Sequence, residues 1–295
     1  MSQLSGMTGF ARVTGEAEWG AWAWEAKSVN GRGLDVRVNT PPGFDALERA
    51  VKTAASRRFN RGSLQVSLRI ELSDRAGGVV IDEALLKSLT SAAEQALGGP
   101  LSGEAIAALM SIKGVVETGS SSLRDVAADE AVMTVLAQGA EAALEQLDTA
   151  RRSEGQSLLA MLGELVDEMS AVTESAISLA AGQPGLLQAR LSKQLDELGA
   201  DQKVDPDRLA AELALTAAKA DVREELDRLQ AHFVSARDLL ATGSPVGRKL
   251  DFLAQELNRE ANTLCSKSVS LDLTNAGLSL KGTIDQFKEQ AANVE

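Results

Sequence analysis

Hydrophobic and polar positions alternate through the first quarter of the chain. Trp22, Trp24, Ala26 and Ser28 share one face of an extended run, with Ala23, Glu25 and Lys27 on the other. A second run sets Leu34, Val36 and Val38 against Asp35 and Arg37. Asn30-Gly31 lies between them, and that dipeptide is a strong turn signal, so the pattern predicts a β-hairpin. Pro41-Pro42-Gly43 ends the second run. Residues 44–59 then take helical spacing, with Leu47, Val51 and Ala55 on one side. Arg61-Gly62 turns the chain into another strand, where Leu64, Val66, Leu68 and Ile70 alternate with Gln65, Ser67 and Arg69. Gly77-Gly78 closes the block.

Beyond it the spacing becomes helical. Short helices are predicted at 82–98 and 103–113, with a loop at 119–122. Residues 128–181 contain no proline and read as one helix, on the order of 80 Å long at ~1.5 Å per residue. Such a helix is either broken, at Gly139 or Gly155, or it projects and packs on another subunit; the second is the expectation taken here. Residues 182–185 stop it, and further helices are predicted at 186–199, 207–240, 246–266 and 271–293. The whole is an α+β protein. An N-terminal antiparallel sheet with helices occupies 1–155, connecting long helices 156–206, and a C-terminal helical domain 207–295.

Composition narrows the chemistry. Aromatics are 3% of 295 residues and tyrosine is absent, so the core must be aliphatic. Net charge is −12 but uneven: residues 1–75 hold 11 Lys+Arg against 8 Asp+Glu, leaving −15 on the rest. Binding of RNA depends on the local field at a groove, so the total does not exclude it. The single cysteine, Cys265, permits no internal disulfide and fits a reducing, cytoplasmic setting. The start, MSQLSGMTGF, lacks a basic region followed by a long apolar run, and no window approaches ~18 apolar residues, so neither signal peptide nor membrane partner is expected.

Two segments carry candidate chemistry. In 207–240, Val222, Leu226, Leu229 and Phe233 form a core stripe. Asp221, Glu225, Arg228 and His232 follow one residue earlier, at its rim, with Glu224 a turn after Asp221. Carboxylates suit Mg²⁺ or Mn²⁺, and histidine suits acid–base work near neutrality. The same spacing also writes an ordinary solvated helix face. In 246–266, Leu250, Leu253, Leu257, Ala261 and Leu264 make a thin apolar seam. Lys249, Glu256, Glu260, Thr263 and Lys267 form a second stripe, and Asp251, Gln255, Asn258 and Asn262 a third. Trp19, Trp22 and Trp24 could stack bases, but core packing of at least two is the stronger expectation. Gly-rich phosphate loops, zinc spacings, Gly-x-Ser-x-Gly elbows and dinucleotide fingerprints are absent.

Five stretches resemble one family: SGMTGFAR (5–12), KSVNGRGLDVRV (27–38), RRFNRGSLQVSLRI (57–70), ADVREELDRLQAH (220–232) and GRKLDFLAQELNREANTLCSKS (247–268). They look like the signatures of the YicC/YloC family. The resemblance implies an endoribonuclease acting on single-stranded RNA with a divalent metal, a role in small-RNA turnover, no DNA substrate, and a homo-oligomer such as a hexamer. Many members carry histidine where this chain has Gly31, and glycine where it has Cys265; the second departure reads as a packing change.

Residue pattern and resemblance together assign roles. Asp221, Glu225, Glu256 and Glu260 are expected to hold Mg or Mn. His232, with Glu224 and Glu225, is expected to do the acid–base chemistry. Arg32, Arg37, Arg58, Arg61, Arg248, Lys249, Arg259 and Lys267 are expected to hold RNA, guanidinium groups being well matched to phosphate. The alternative is a non-catalytic RNA-binding adaptor that presents RNA to another nuclease. A third possibility is a helical scaffold whose polar stripes are inter-subunit contacts.

Overall fold

The computed structural model describes residues 3–73, 79–118, 123–197 and 205–295. The turn expected at Gly77-Gly78 and the loop expected at 119–122 lie outside them. In order, the chain forms β1 (Gly9–Ala17), β2 (Gly20–Val29), β3 (Leu34–Asn39), α1 (Asp45–Arg58) and β4 (Gly62–Leu72). Then come β5 (Val79–Ile81), α2 (Glu83–Leu97), α3 (Gly103–Met110), β6 (Val116–Thr118) and α4 (Leu123–Ala128). Six helices complete it: α5 (Glu130–Ala180), α6 (Gln183–Glu197), α7 (Pro206–Lys219), α8 (Arg223–Thr242), α9 (Gly247–Lys267) and α10 (Leu271–Ala291). The α+β class is as expected.

The sheet order is β1-β2-β4-β3. Strand β2 pairs antiparallel with β1 and with β4, while β3 pairs parallel with β4 at the edge. The hairpin expected at Asn30-Gly31 therefore does not form, and the sheet is mixed rather than antiparallel. Both edges of β2 are taken by longer partners. Strand β4 matches it over ten positions, from Gly20 opposite Leu72 to Val29 opposite Ser63, whereas β3 has six residues. Helix α1 then serves as the crossover that parallel pairing of β3 and β4 requires.

One face of this sheet is the first core. Ala11, Trp22, Trp24, Ala26, Leu64, Val66 and Leu68 pack on Leu47, Val51 and Ala55 of α1 and on Leu136, Ala140, Leu144 and Leu147 of α5. Trp24 is fully buried and donates its Nε1 hydrogen to the Leu136 carbonyl at 2.9 Å. Trp22 and Trp24 are thus core residues, unavailable to bases. Trp19 packs part-buried on the same cluster.

Helix α5 is unbroken over 51 residues, roughly 76 Å. Its two candidate breakers are points of close approach. A Cβ on Gly139 would lie 2.5 Å from the Trp22 ring, and one on Gly155 would lie 2.0 Å from the Leu4 carbonyl oxygen. Beyond Gly155 the same helix enters a second core. Leu158, Leu162, Val166, Met169 and Ala176 meet Leu226, Leu229 and Phe233 of α8, Leu250 and Leu257 of α9, and Leu280, Ile284 and Phe287 of α10. Helix α5 is therefore covered on one side by its own chain in both halves of its length, while Val135, Leu159, Met161 and Ile177 remain exposed.

The cores are tied at Arg151, which is 0% exposed. Its Nε donates to the Gly6 carbonyl at 2.7 Å and its Nη2 to the Arg61 carbonyl at 3.1 Å. Nη2 also lies 3.1 Å from Oε2 of Glu295, and the guanidinium stacks 4.8 Å from the Phe59 ring centre. Glu295 in turn accepts the Asn60 N–H at Oε1, 2.5 Å. Its backbone carbonyl accepts the Val246 and Gly247 N–H groups, at 2.9 and 3.1 Å, where α9 begins.

The Gly139 contact is testable. Alanine is favoured over glycine in a helix by up to ~1 kcal/mol, but here its methyl would overlap a nearly buried, rigid indole. Overpacking of that kind costs about 1–3 kcal/mol. Gly139→Ala should therefore lower the denaturant midpoint, and in a Trp22→Phe background the same change should cost much less. Additive effects of the two substitutions in a double-mutant cycle would show that the ring is not what Gly139 accommodates.

Candidate functional site

Helices α8 and α9 form an antiparallel pair. Their apolar stripes, Leu226, Leu229, Phe233 and Leu240 against Leu250, Leu253, Leu257, Ala261 and Leu264, are buried, as the spacing predicts. The polar rim residues beside those stripes meet across the pair at successive turns.

At one end stands Glu225, 5% exposed, whose Oε1 accepts a hydrogen bond from Lys267 Nζ at 2.8 Å. The ammonium also donates to the Asp221 carbonyl at 3.1 Å. One level along, Arg228 reaches Glu260 Oε1 at 3.4 Å and bonds Glu224 on its other side. These two glutamates raise the Arg228 pKa further, the hydrogen bond to Glu260 being the larger influence. At the next level His232, Glu256 and Glu260 converge: one ligand atom from each lies within 4.8 Å of the others. Glu260 is 3% exposed, and His232 and Glu256 are half-buried.

The structure brings together only part of the expected ligand set. Glu256 and Glu260 stand together with His232, whereas Asp221 and Glu225 lie outside that cluster. Residues 207–240 are not one helix; they are interrupted at 220–222, between α7 and α8. Asp221 sits in that interruption, its Oδ1 accepting the Arg223 N–H at 3.0 Å and both oxygens bonding the Arg223 guanidinium. Those bonds hold its carboxyl down at about 2. Glu225 and Glu224 are engaged by Lys267 and Arg228.

The basic residues separate in the same way. Arg37 pairs with Asp35 at 3.1 Å, Arg58 with Glu141 at 3.2 Å, Arg259 with Glu256 at 3.7 Å, and Lys267 with Glu225. Arg61 turns inward, where its Nη1 donates to the Val294 carbonyl at 3.4 Å. Among the described residues, Arg32, Arg248 and Lys249 are exposed and make no ion pair. Cys265 abuts Gly277 of α10, where an added Cβ would lie 2.5 Å from its sulfur. Burial pushes the thiol up, so it packs rather than reacts.

A cavity of about 690 Å³ with a mixed lining lies elsewhere, between the end of α5, α6, the end of α7 and the start of α8. Ile177, Leu187, Leu226, Asp221 and Arg223 are among the residues that line it, and the His232 cluster is outside it. Its lining suits helix packing better than chemistry on a charged ester.

The chain is thus an α+β fold ending in a helical bundle, with an imidazole and two carboxylates gathered on the bundle's rim. Its family is shown by comparison: the chain belongs to the YicC-like endoribonucleases. Residues 4–160 match the family described as "Endoribonuclease YicC-like, N-terminal region", and residues 178–295 match "Endoribonuclease YicC-like, C-terminal". The chain is 34% identical to the "Probable endoribonuclease YicC" of Haemophilus influenzae, the match covering 98% of this chain and 99% of that protein. It is 26% identical to the protein of that same name from Clostridioides difficile, with equal coverage. Among the described residues no helix is long and apolar enough to cross a membrane.

The Asp221 bonds carry a pH dependence. A carboxyl whose folded pKa lies below its unfolded value of ~3.9 stabilises the fold above that value and loses the contribution as pH falls. The start of α8 should therefore loosen between about pH 4 and pH 2, seen as falling protection, relative to intrinsic exchange, at the Arg223 amide that Asp221 accepts and the Leu226 amide that closes the first turn. The effect is small because the Asp221 side chain is 36% exposed and screened. In Asp221→Asn the pH step at these amides should vanish; an unchanged step would assign it to another group.

Proposed function

We propose that this protein is an endoribonuclease that cuts short single-stranded RNA with a divalent cation held by His232, Glu256 and Glu260. The observation that carries this is the convergence of those three donors from two helices, with no ion pair shorter than 3.4 Å competing for either glutamate among the described residues. The donor chemistry fits the group. Two carboxylates satisfy a hard divalent ion, and the imidazole favours manganese over magnesium, which takes oxygen ligands almost throughout. When bound, the cation would polarise the scissile phosphate or lower the pKa of a water.

The chain's own residues do the rest. The α8–α9 core fixes the backbone positions from which His232, Glu256 and Glu260 reach one another. Arg228 hydrogen-bonds Glu260 and orients it towards His232, in the manner of outer residues that position metal ligands. In this reading His232 is a ligand rather than the acid–base group. Arg248 and Lys249, free of acidic partners, are the cations best placed to neutralise RNA phosphates. A homo-oligomer belongs to the proposal on family grounds.

Purified protein should cut an end-labelled single-stranded RNA internally with Mn²⁺, more weakly with Mg²⁺, and not with EDTA. Glu256→Gln/Glu260→Gln should reduce cleavage to roughly a hundredth or less and weaken Mn²⁺ binding measured by electron paramagnetic resonance. Asp221→Asn should leave both intact. Undiminished cleavage in the double variant would remove the metal site. Retarded but uncut RNA in every lane would replace the enzyme with the adaptor.

A further inference from the structure

Helix α9 repeats one step three times: Arg248, Phe252, Glu256 and Glu260 stand at i, i+4, i+8 and i+12. The last two belong to the candidate metal site. The first two lead away from it, into a groove of about 550 Å³ between α8 and α9. Phe252 is 64% exposed on this groove, and Leu239 and Leu253 give it an apolar floor. Lys249 joins Arg248 on its rim, and Asp238 and Ser235 line the α8 side. An exposed phenylalanine beside two cations free of ion pairs is a poor surface for a water-facing helix. It is a good one for a planar base attached to phosphates.

We infer that this groove seats a nucleotide flanking the cleaved bond, with one base stacked on Phe252 and the adjoining phosphates held by Arg248 and Lys249. The inference rests on the reading of His232, Glu256 and Glu260 as the cleavage centre. Each i+4 step advances ~6 Å, so Arg248 lies ~12 Å from the level of Glu256. A strand spaced at about 3.4 Å per nucleotide, or wider where a base swings out onto the ring, covers that span in at most about four nucleotides. The cations therefore meet the same strand whose phosphodiester lies at the cluster, and Phe252 meets a base between. Stacking on an aromatic ring tolerates any base, so the groove would position the strand without reading its sequence. It also selects single-stranded RNA, since a base inside a duplex is covered on both faces by its neighbours and held there by pairing.

The test uses the full chain in EDTA with a short single-stranded RNA carrying one 2-aminopurine, whose fluorescence is quenched on stacking. Wild-type protein should quench it. Phe252→Leu, at saturating RNA, should abolish the quench and weaken binding roughly 5- to 100-fold, and Phe252→Trp should restore both. Arg248→Gln/Lys249→Gln should flatten the dependence of log affinity on log salt by about 1–2 units. Lack of quenching in the wild-type complex, or wild-type affinity and quenching in Phe252→Leu, would overturn the proposal. So would a changed subunit number in Phe252→Leu with RNA affinity unaltered, which would make Phe252 a contact between copies. A wild-type protein that quenches but never cuts would keep the groove and remove the nuclease; one that cuts, with KM unaffected by Phe252→Leu, would do the reverse.

Discussion

A buried positive charge organises this molecule. Arg151 sits midway along α5 with no access to water, and a guanidinium so placed destabilises the fold unless it is paired and hydrogen-bonded. Its partners come from three distant parts of the chain: the Gly6 carbonyl, the turn at Phe59 and Arg61, and the carboxylate of Glu295. Removing one member leaves an uncompensated charge, which costs about 3–5 kcal/mol in comparable buried pairs. The constraint reaches the candidate site through Glu295. Its backbone carbonyl caps the first N–H groups of α9, which otherwise have no partner within the helix. The start of α9 is thereby pinned to the Arg151 junction, and so is the level at which Glu256 and Glu260 arrive opposite His232.

Local pattern was most informative where local forces decide. The apolar seam of α9, the buried face of α1 and the alternation in β4 were all legible, because each follows from which side of one element is covered. The Asn30-Gly31 turn was misleading. Its signal is real, but β2 gains far more by pairing with β4 over ten positions than with β3, and that competition is invisible until the strands are aligned. Gly139 and Gly155 misled for a related reason. A glycine in a helix marks either weakness or close approach, and only the Trp22 ring and the Leu4 backbone show which.

The candidate site was legible in parts. Glu256, Glu260 and His232 were all singled out from their polar settings, and i+4 spacing relates the two glutamates. The partnership with histidine depends on how two antiparallel helices register, which spacing along one helix does not reveal. Asp221 appeared to extend the α8 stripe because 207–240 contains no proline or glycine to announce the interruption; its signal was that aspartate commonly precedes a helix start. The basic residues were the least legible. A sequence counts cations without showing their partners, and Arg37, Arg58, Arg259 and Lys267 spend their charge on this chain's own acids. Phe252 gives no signal, because a single aromatic in a polar helix has no pattern.

Helix α5 has a consequence for how the molecule comes apart. Its buried positions run from Val132 to Ala176 with little change of face, serving the sheet at one end and the three C-terminal helices at the other. Neither core can dissolve without stripping cover from a helix that the other also needs, and an isolated helix gains little from its own hydrogen bonds in water. The two cores are separate in space but share one melting equilibrium. Damage to the sheet would be felt as instability at the His232 cluster, several turns of helix away, without any side chain near that cluster having changed.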